Sequence, residues 1–207
     1  MKGAFITFEG IEGTGKSTQA KLLYEYFRGR GLDVVLTAEP GGTGIGLGIR
    51  KLLLSVEHKE MLPVTELLLY NASRSQHIGE IINPALNRGA LVISDRFTDS
   101  TIAYQGYGRG IDLQLLDAID CIATGRMRPG ITLLLDIDVE TGLMRNRDIN
   151  KADRFELEDA AFHEKVRAGY RRLAAEEPGR IKIIDATGSI GELHGRIVRI
   201  VSDHTGY

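Results

Sequence analysis

Between an apolar run at residues 4–8 and an amphipathic segment from residue 16 lies Gly10-Ile11-Glu12-Gly13-Thr14-Gly15-Lys16-Ser17. It fits the pattern G-x-x-x-x-G-K-[S/T] at every fixed position. Glycines let the backbone wrap until successive N–H groups face one anion. A helix starting near Lys16 adds the positive end of its dipole. In that arrangement Lys16 reaches the β- and γ-phosphates and the Ser17 hydroxyl holds Mg²⁺. The pattern predicts strand, loop and helix in that order. It also predicts a nucleoside triphosphate site built from Gly10, Ile11, Glu12, Gly13, Thr14, Gly15, Lys16, Ser17 and Thr18. It leaves open what is done with the phosphate.

The rest of the chain alternates in the same way. Short apolar runs at 4–8, 34–37, 91–94, 131–137 and 181–184 read as strands covered on both faces. Helical patterns at 16–29, 46–55, 63–87, 113–124, 139–147, 159–176 and 190–201 separate them. Strand–helix alternation predicts an α/β fold with a five-stranded parallel sheet flanked by helices. No repeat or linker divides the 207 residues, so a single domain over 1–207 is expected. The polar, charge-dense stretch at 145–156 (RNRDINKADRFE) reads as a short lid.

Ligands of such folds sit beyond the C-terminal ends of the strands. The second strand leaves through Glu39-Pro40-Gly41-Gly42-Thr43, and the third ends in Asp95-Arg96-Phe97. Asp95 at a strand tip beside the phosphate loop is placed to hold Mg²⁺, directly or through water. Arg96 can clamp phosphate oxygens with two parallel N–H groups.

Phe8-Glu9-Gly10 leading into the phosphate loop, Glu39–Thr43, and Asp95-Arg96-Phe97 followed by Ala103-Tyr104-Gln105-Gly106 together resemble the bacterial thymidylate kinases. The similarity runs from about residue 4 to residue 200, with elements in the family's order. It implies a three-layer P-loop kinase fold, transfer of the γ-phosphate of ATP to dTMP in dTTP biosynthesis, Mg²⁺ with the ATP, and a homodimer. By position it implies that Tyr70 stacks on thymine. Arg74 then hydrogen-bonds the base, with Thr101 and Gln105 beside the base edge. Arg50 and Arg96 lie on the monophosphate, Tyr104 crowds the sugar C2′, and Glu12 and Glu39 complete the acceptor site. Some relatives carry an arginine inside the phosphate loop. This chain has Gly13 there and is similar to the group whose lid supplies the cation, which makes Arg145, Arg147 and Arg154 catalytic candidates with Lys16 and Arg96. Ala38 stands where many relatives have arginine, and Asp148 and Ile149 stand where some have a further lid arginine.

A monophosphate acceptor is largely ionised at neutral pH, since its second pKa is about 6, so no general base is needed. The need is for cations that bring two anions together. The nearest alternative is a deoxynucleoside kinase or another nucleotide kinase of this class. A GTPase switch is suggested by Asn150-Lys151-Ala152-Asp153 and Asp185-Ala186-Thr187-Gly188, but their order is reversed.

Composition adds exclusions. The 26 basic and 28 acidic residues give a net charge of −2, with no basic excess for nucleic acid. No apolar run is long enough to span a membrane, and Glu9 interrupts the opening run, so a cytoplasmic protein is expected. The lone Cys121 lies in an apolar stretch and reads as a buried thiol. The histidines lack metal-ligand spacing. Of 25 glycines, eleven fall in three clusters, at Gly10–Gly15, Gly41–Gly48 and Gly106–Gly110, expected as loops bending around phosphorylated ligands.

Overall fold

The computed structural model describes residues 3–147 and 153–207. Strands β1 (Ala4–Glu9), β2 (Val34–Ala38), β3 (Leu91–Asp95), β4 (Ile131–Asp136) and β5 (Ile181–Asp185) form one parallel sheet in the order β2-β3-β1-β4-β5. The register sets Phe8 against Asp95 and Ala38 against Asp95. The tips of β1, β2 and β3 therefore end level, and the loops leaving them meet. Only the three inner strands are covered on both faces. Leu36 on β2 and Ile183 on β5 reach solvent, because these strands form the sheet edges.

Helix α1 (Lys16–Arg28) lies over β1, β2 and β3 and packs on α9 (Ile190–Thr205). Right-handed crossovers put the intervening helices on the opposite face. There α8 (Ala160–Glu176) packs under β4 and β5. The core includes Leu23 and Phe27 of α1, the Leu193, Ile197 and Val201 stripe of α9, and Val166, Tyr170 and Leu173 of α8. The remaining helices are α2 (Gly44–Leu54), α3 (Pro63–His77), α4 (Asn83–Asn87), α5 (Thr98–Thr101), α6 (Leu113–Thr124) and α7 (Val139–Arg147). Among the described residues, no helix is long and apolar enough to cross a membrane.

Two helices depart from the expected pattern. The 63–87 run is α3, a π-helical turn at Ile78–Ile82, and α4. Pro84 has no N–H to donate, and the Asn83 N–H bonds Ile78 O, five residues back. The other departure is the 98–108 segment, where the glycines suggested a loop. Here α5 continues as a π-helical stretch, Ile102–Gly108. Gly106 and Gly108 lie inside it and serve helix contact rather than ligand wrapping. A Cβ on Gly108 would meet Phe162 at 2.7 Å, and one on Gly169 of α8 would meet the Tyr107 ring at 2.6 Å. Cys121 is half-buried rather than buried, and Ile122 beside it is 85% exposed.

The start of the 98–108 helix is pinned by charge. Buried Asp99 receives two hydrogen bonds from Arg180, at 2.7 and 2.8 Å, and one from Thr132 at 2.9 Å. This ties the helix carrying Thr101, Tyr104 and Gln105 to β4 and to the residue preceding β5.

Glycine substitutions should separate packing from propensity. Gly169→Ala forces a methyl against Tyr107 and is expected to cost about 1–3 kcal/mol. Gly48→Ala in α2 points into open space and should gain up to about 1 kcal/mol. Urea denaturation midpoints of the two variants should move in opposite directions.

Candidate active site

A cavity of about 1190 Å³ opens where the tips of β1, β2 and β3 meet. Its floor is the phosphate loop. α1 begins at Lys16 with Gly15 as a left-handed N-cap, no side-chain cap and no acidic residue in its first turn. Its first N–H groups are left to an anion. Gly13 has φ +73°, and a Cβ there would lie 1.9 Å from Gly142 O of α7. The loop is pressed against a helix, so an arginine at position 13 has no room.

Lys16 folds back over this loop, its Nζ donating to Ile11 O at 2.6 Å and to Thr14 Oγ1 at 3.3 Å. Burial, reinforced by the charge of Arg96, pulls the Lys16 ammonium down to about 8, against the opposing pull of Asp95, Glu12 and Glu9. The Ser17 hydroxyl donates to Asp95 Oδ2 at 2.5 Å. That pairing places two hard oxygen donors together at the mouth of the loop.

Arg96 leaves β3 with φ +73° and turns its guanidinium toward the loop. Its Nη1 donates to Gly10 O (3.0 Å), Ser100 Oγ (3.1 Å) and Tyr170 OH (3.1 Å). Its Nη2 donates to Glu12 Oε1 (3.0 Å) and Tyr104 OH (3.2 Å). Tyr104 also donates to Glu12 Oε1 at 2.7 Å. Burial works to raise the Glu12 carboxyl, but His163, Arg96, Lys16 and Tyr104 together hold it well below the usual carboxylate range. His163 Nδ1 stands 3.4 Å from Glu12 Oε2, an ion-pair distance without hydrogen-bond geometry.

Glu9 lies beneath this array. It accepts from Phe97 N (2.8 Å), Ser100 Oγ (2.5 Å) and Tyr170 OH (2.8 Å). Burial, with the charge of Asp99, pushes its carboxyl up to about 7, although Arg96, Ser100 and Tyr170 pull the other way. Because Ser100 and Tyr170 donate to Glu9, their lone pairs are turned toward Arg96.

The opposite wall comes from α3 and the exit of β2. Glu39 is buried and receives Arg74 Nε at 2.7 Å, with His77 Nδ1 at 2.9 Å from its other oxygen. Arg74 is 1% exposed and also donates to Asp120 (3.0 Å), Phe97 O (3.1 Å) and Thr101 Oγ1 (2.8 Å). Gln105 Nε2 donates to Glu66 at 2.8 Å. Tyr70 lines the cavity, its ring 6.3 Å from that of Phe155. Arg50 also lines it and donates to Pro40 O at 2.8 Å. The cavity therefore gathers Glu12, Glu39, Arg50, Tyr70, Arg74, Arg96, Thr101, Tyr104 and Gln105 around one space, opposite the loop residues.

The three arginines of the 145–156 stretch divide. Arg145 is exposed at the cavity and donates to Ala186 O at 3.0 Å. Arg147 ends α7, and its side chain lies outside the described residues, as do residues 148–152. Arg154, expected to close over the reacting phosphate, does not line the cavity. Its Nη2 is 2.5 Å from Glu66 Oε2, its Nε donates to Leu53 O at 3.1 Å, and it is buried. A buried carboxylate holds this guanidinium, since separating the pair would leave a charge without a partner.

The model of the family described as thymidylate kinase matches residues 8–197. The chain belongs to the thymidylate kinase family. It is 48% identical to the thymidylate kinase of Trichormus variabilis over 206 residues, covering 99% of this chain and 98% of that protein. It is 49% identical to that of Geotalea uraniireducens over 205 residues, covering 96% of each. The crystal structure of thymidylate kinase from Ehrlichia chaffeensis superposes with a TM-score of 0.79 at 36% identity, covering 98% of this chain and 99% of that one. The five-stranded parallel P-loop fold is thus the fold of a family of phosphotransferases, as the sequence implied.

Several residues of the site carry no motif. His163 and Tyr170 sit seven apart on α8, the spacing of one helix face; His163 faces Glu12 of the phosphate loop, and Tyr170 donates to Glu9 at the end of β1. His77, Asp120 and Glu66 surround the α3 arginine and Gln105. Polar residues set among the apolar positions of amphipathic helices were the available signal.

The Lys16 position gives a pH test. The free protein loses the Lys16 proton as pH rises through about 8, whereas a bound triphosphate favours the charged form. ATP binding at a pH of about 8.5 should therefore take up protons, and affinity should fall as pH rises further. Calorimetry in buffers of different ionisation heat measures the uptake, which Lys16→Met should abolish.

Proposed function

We propose that this chain transfers the γ-phosphate of ATP to dTMP, giving dTDP and ADP, in the cytoplasm where ATP is supplied. The observation that carries this reading is the single cavity shared by the phosphate loop and the α3 wall: a triphosphate cradle faces a pocket with an aromatic ring, an amide and a nearly saturated arginine. ATP lies along Gly10–Thr18. The thymine stacks against Tyr70, with Arg74, Thr101 and Gln105 at its edge. Tyr104, held by Glu12 and Arg96, occupies the space that a ribose 2′-hydroxyl would need. Arg50 and Arg96 receive the monophosphate, and Glu39 orients Arg74.

The acceptor phosphate attacks as an anion, so no side chain removes a proton in the transferring step. The work is electrostatic: Arg96 and Lys16 supply positive charge to the transferring phosphoryl group, and Arg145 with Arg147 complete the cation set as part of a lid over 145–156. Arg154 belongs to the anchoring of that segment, not to its chemistry. The adjacent Ser17 hydroxyl and Asp95 carboxylate suit Mg²⁺, which prefers hard oxygen ligands and keeps waters and substrate phosphates for the rest. When bound, the ion supplies charge neutralisation on the β- and γ-oxygens.

A homodimer fits the surface. α3 and α6 pack on each other and leave Val64, Leu68, Leu115 and Ile122 exposed on neighbouring helices. An apolar face of this kind marks an association surface. Asp120 on the same α6 holds Arg74, so the interface would lie one helix away from the base.

A coupled ADP-release assay across dTMP, dUMP, dCMP, dGMP and thymidine should show dTMP as the preferred acceptor, with Lys16→Ala removing turnover. Faster turnover of thymidine than of dTMP would overturn the reading. In sedimentation velocity, Ile122→Glu should convert a dimer into a monomer with an unchanged fold by circular dichroism.

A further inference from the structure

We infer that Glu66 decides which pyrimidine the site accepts, by fixing the amide of Gln105 so that its oxygen faces the cavity. The inference rests on the proposed placement of the base against Gln105 and Arg74.

Glu66 lies on α3 one turn before Tyr70 and two before Arg74, on the same stripe. It is 0% exposed. Its Oε1 accepts from Gln105 Nε2 at 2.8 Å and Arg109 Nε at 3.2 Å. Its Oε2 accepts from Arg109 Nη2 at 3.3 Å and is 2.5 Å from Arg154 Nη2. A carboxylate between two guanidinium groups offers only lone pairs. The amide beside it must therefore present its NH₂ to Glu66, since the flipped amide would set oxygen against oxygen.

That choice fixes what remains. Gln105 Oε1 has no hydrogen-bond partner among the described residues. It is also not among the buried polar atoms sealed from solvent. Gln105 is 2% exposed and lines the cavity, so this oxygen is an acceptor offered to a ligand there. Arg74 has four of its five N–H groups engaged by Glu39, Asp120, Phe97 and Thr101. One donor is left. Arg74 and Gln105 line the same cavity, and an acceptor and a donor offered there together match a base edge with N–H next to C=O, the N3–H and O4 of thymine. Cytosine presents an unprotonated N3 and an amine, the reverse pattern. Selectivity then depends on a buried glutamate that never touches the base.

The test compares kcat/KM for dTMP and dCMP in wild type, Glu66→Gln and Gln105→Ala. In the Glu66→Gln variant the new amide can face Gln105 with either end, which frees Gln105 to turn over. The expected result is a fall of about tenfold or more in the dTMP:dCMP ratio for Glu66→Gln, carried by a raised KM for dTMP, with KM for ATP unchanged. Equal losses on both monophosphates, with the ratio preserved, would reduce Glu66 to a packing role and overturn the inference. If Gln105→Ala loses the ratio while Glu66→Gln keeps it, the base placement stands and this inference alone fails. If Gln105→Ala keeps the wild-type ratio, both fail. Should Glu66→Gln not fold because two arginines face it, Glu66→Gln combined with Arg154→Leu removes the surplus charge, leaves Arg109 paired with Glu158, and gives the same readout.

Discussion

The Arg96 guanidinium holds the site together. It joins the phosphate loop at Gly10 and Glu12, the 98–108 helix at Ser100 and Tyr104, and α8 at Tyr170. The backbone at Arg96 takes a left-handed conformation to aim it there, unusual for a residue with a Cβ. Such local strain persists only where the surroundings determine it. Here five acceptors do so, and two of them are oriented from below by Glu9. A loop that must bind phosphate is thereby locked to the helices that shape the acceptor pocket.

The walls around the cavity repeat one electrostatic solution. Half-buried Glu12 and the buried Glu39 and Glu66 each sit beside arginine: Arg96, Arg74, and the pair Arg109 and Arg154. Removing such charges from solvent costs several kcal/mol per ion, and the pairs offset it only with further hydrogen bonds. The gain is geometric. Each arginine is fixed in one orientation before a ligand arrives, so little ordering remains to be done when two anions are brought together.

Much of this was legible in sequence. The phosphate loop was complete in eight residues, because a turn that closes on an anion demands glycine and lysine at set places. The strand tips Glu39 and Asp95-Arg96 were legible too, since in a parallel sheet the chain's order places them at one edge. The glycines of 106 and 108 misled, because glycine serves a turn and a close helix crossing equally well, and only the approach of Phe162 tells them apart. Arg154 misled for a related reason. An arginine in a polar segment looks free until a buried carboxylate from a distant helix is found against it.

The sequence by itself determined the local chemistry: the phosphate cradle, the alternation that makes a parallel sheet, and the residue types that line its tips. Those follow from contacts between residues near in the chain, or from periodicity. The tertiary structure decided which charges are paired, and therefore which are available. Glu66 meets Gln105 and Arg154 across 39 and 88 residues, and Glu9 meets Tyr170 across 161. No local pattern encodes such partners, because burial from water, which makes an unpaired charge costly, exists only once the chain has closed around it.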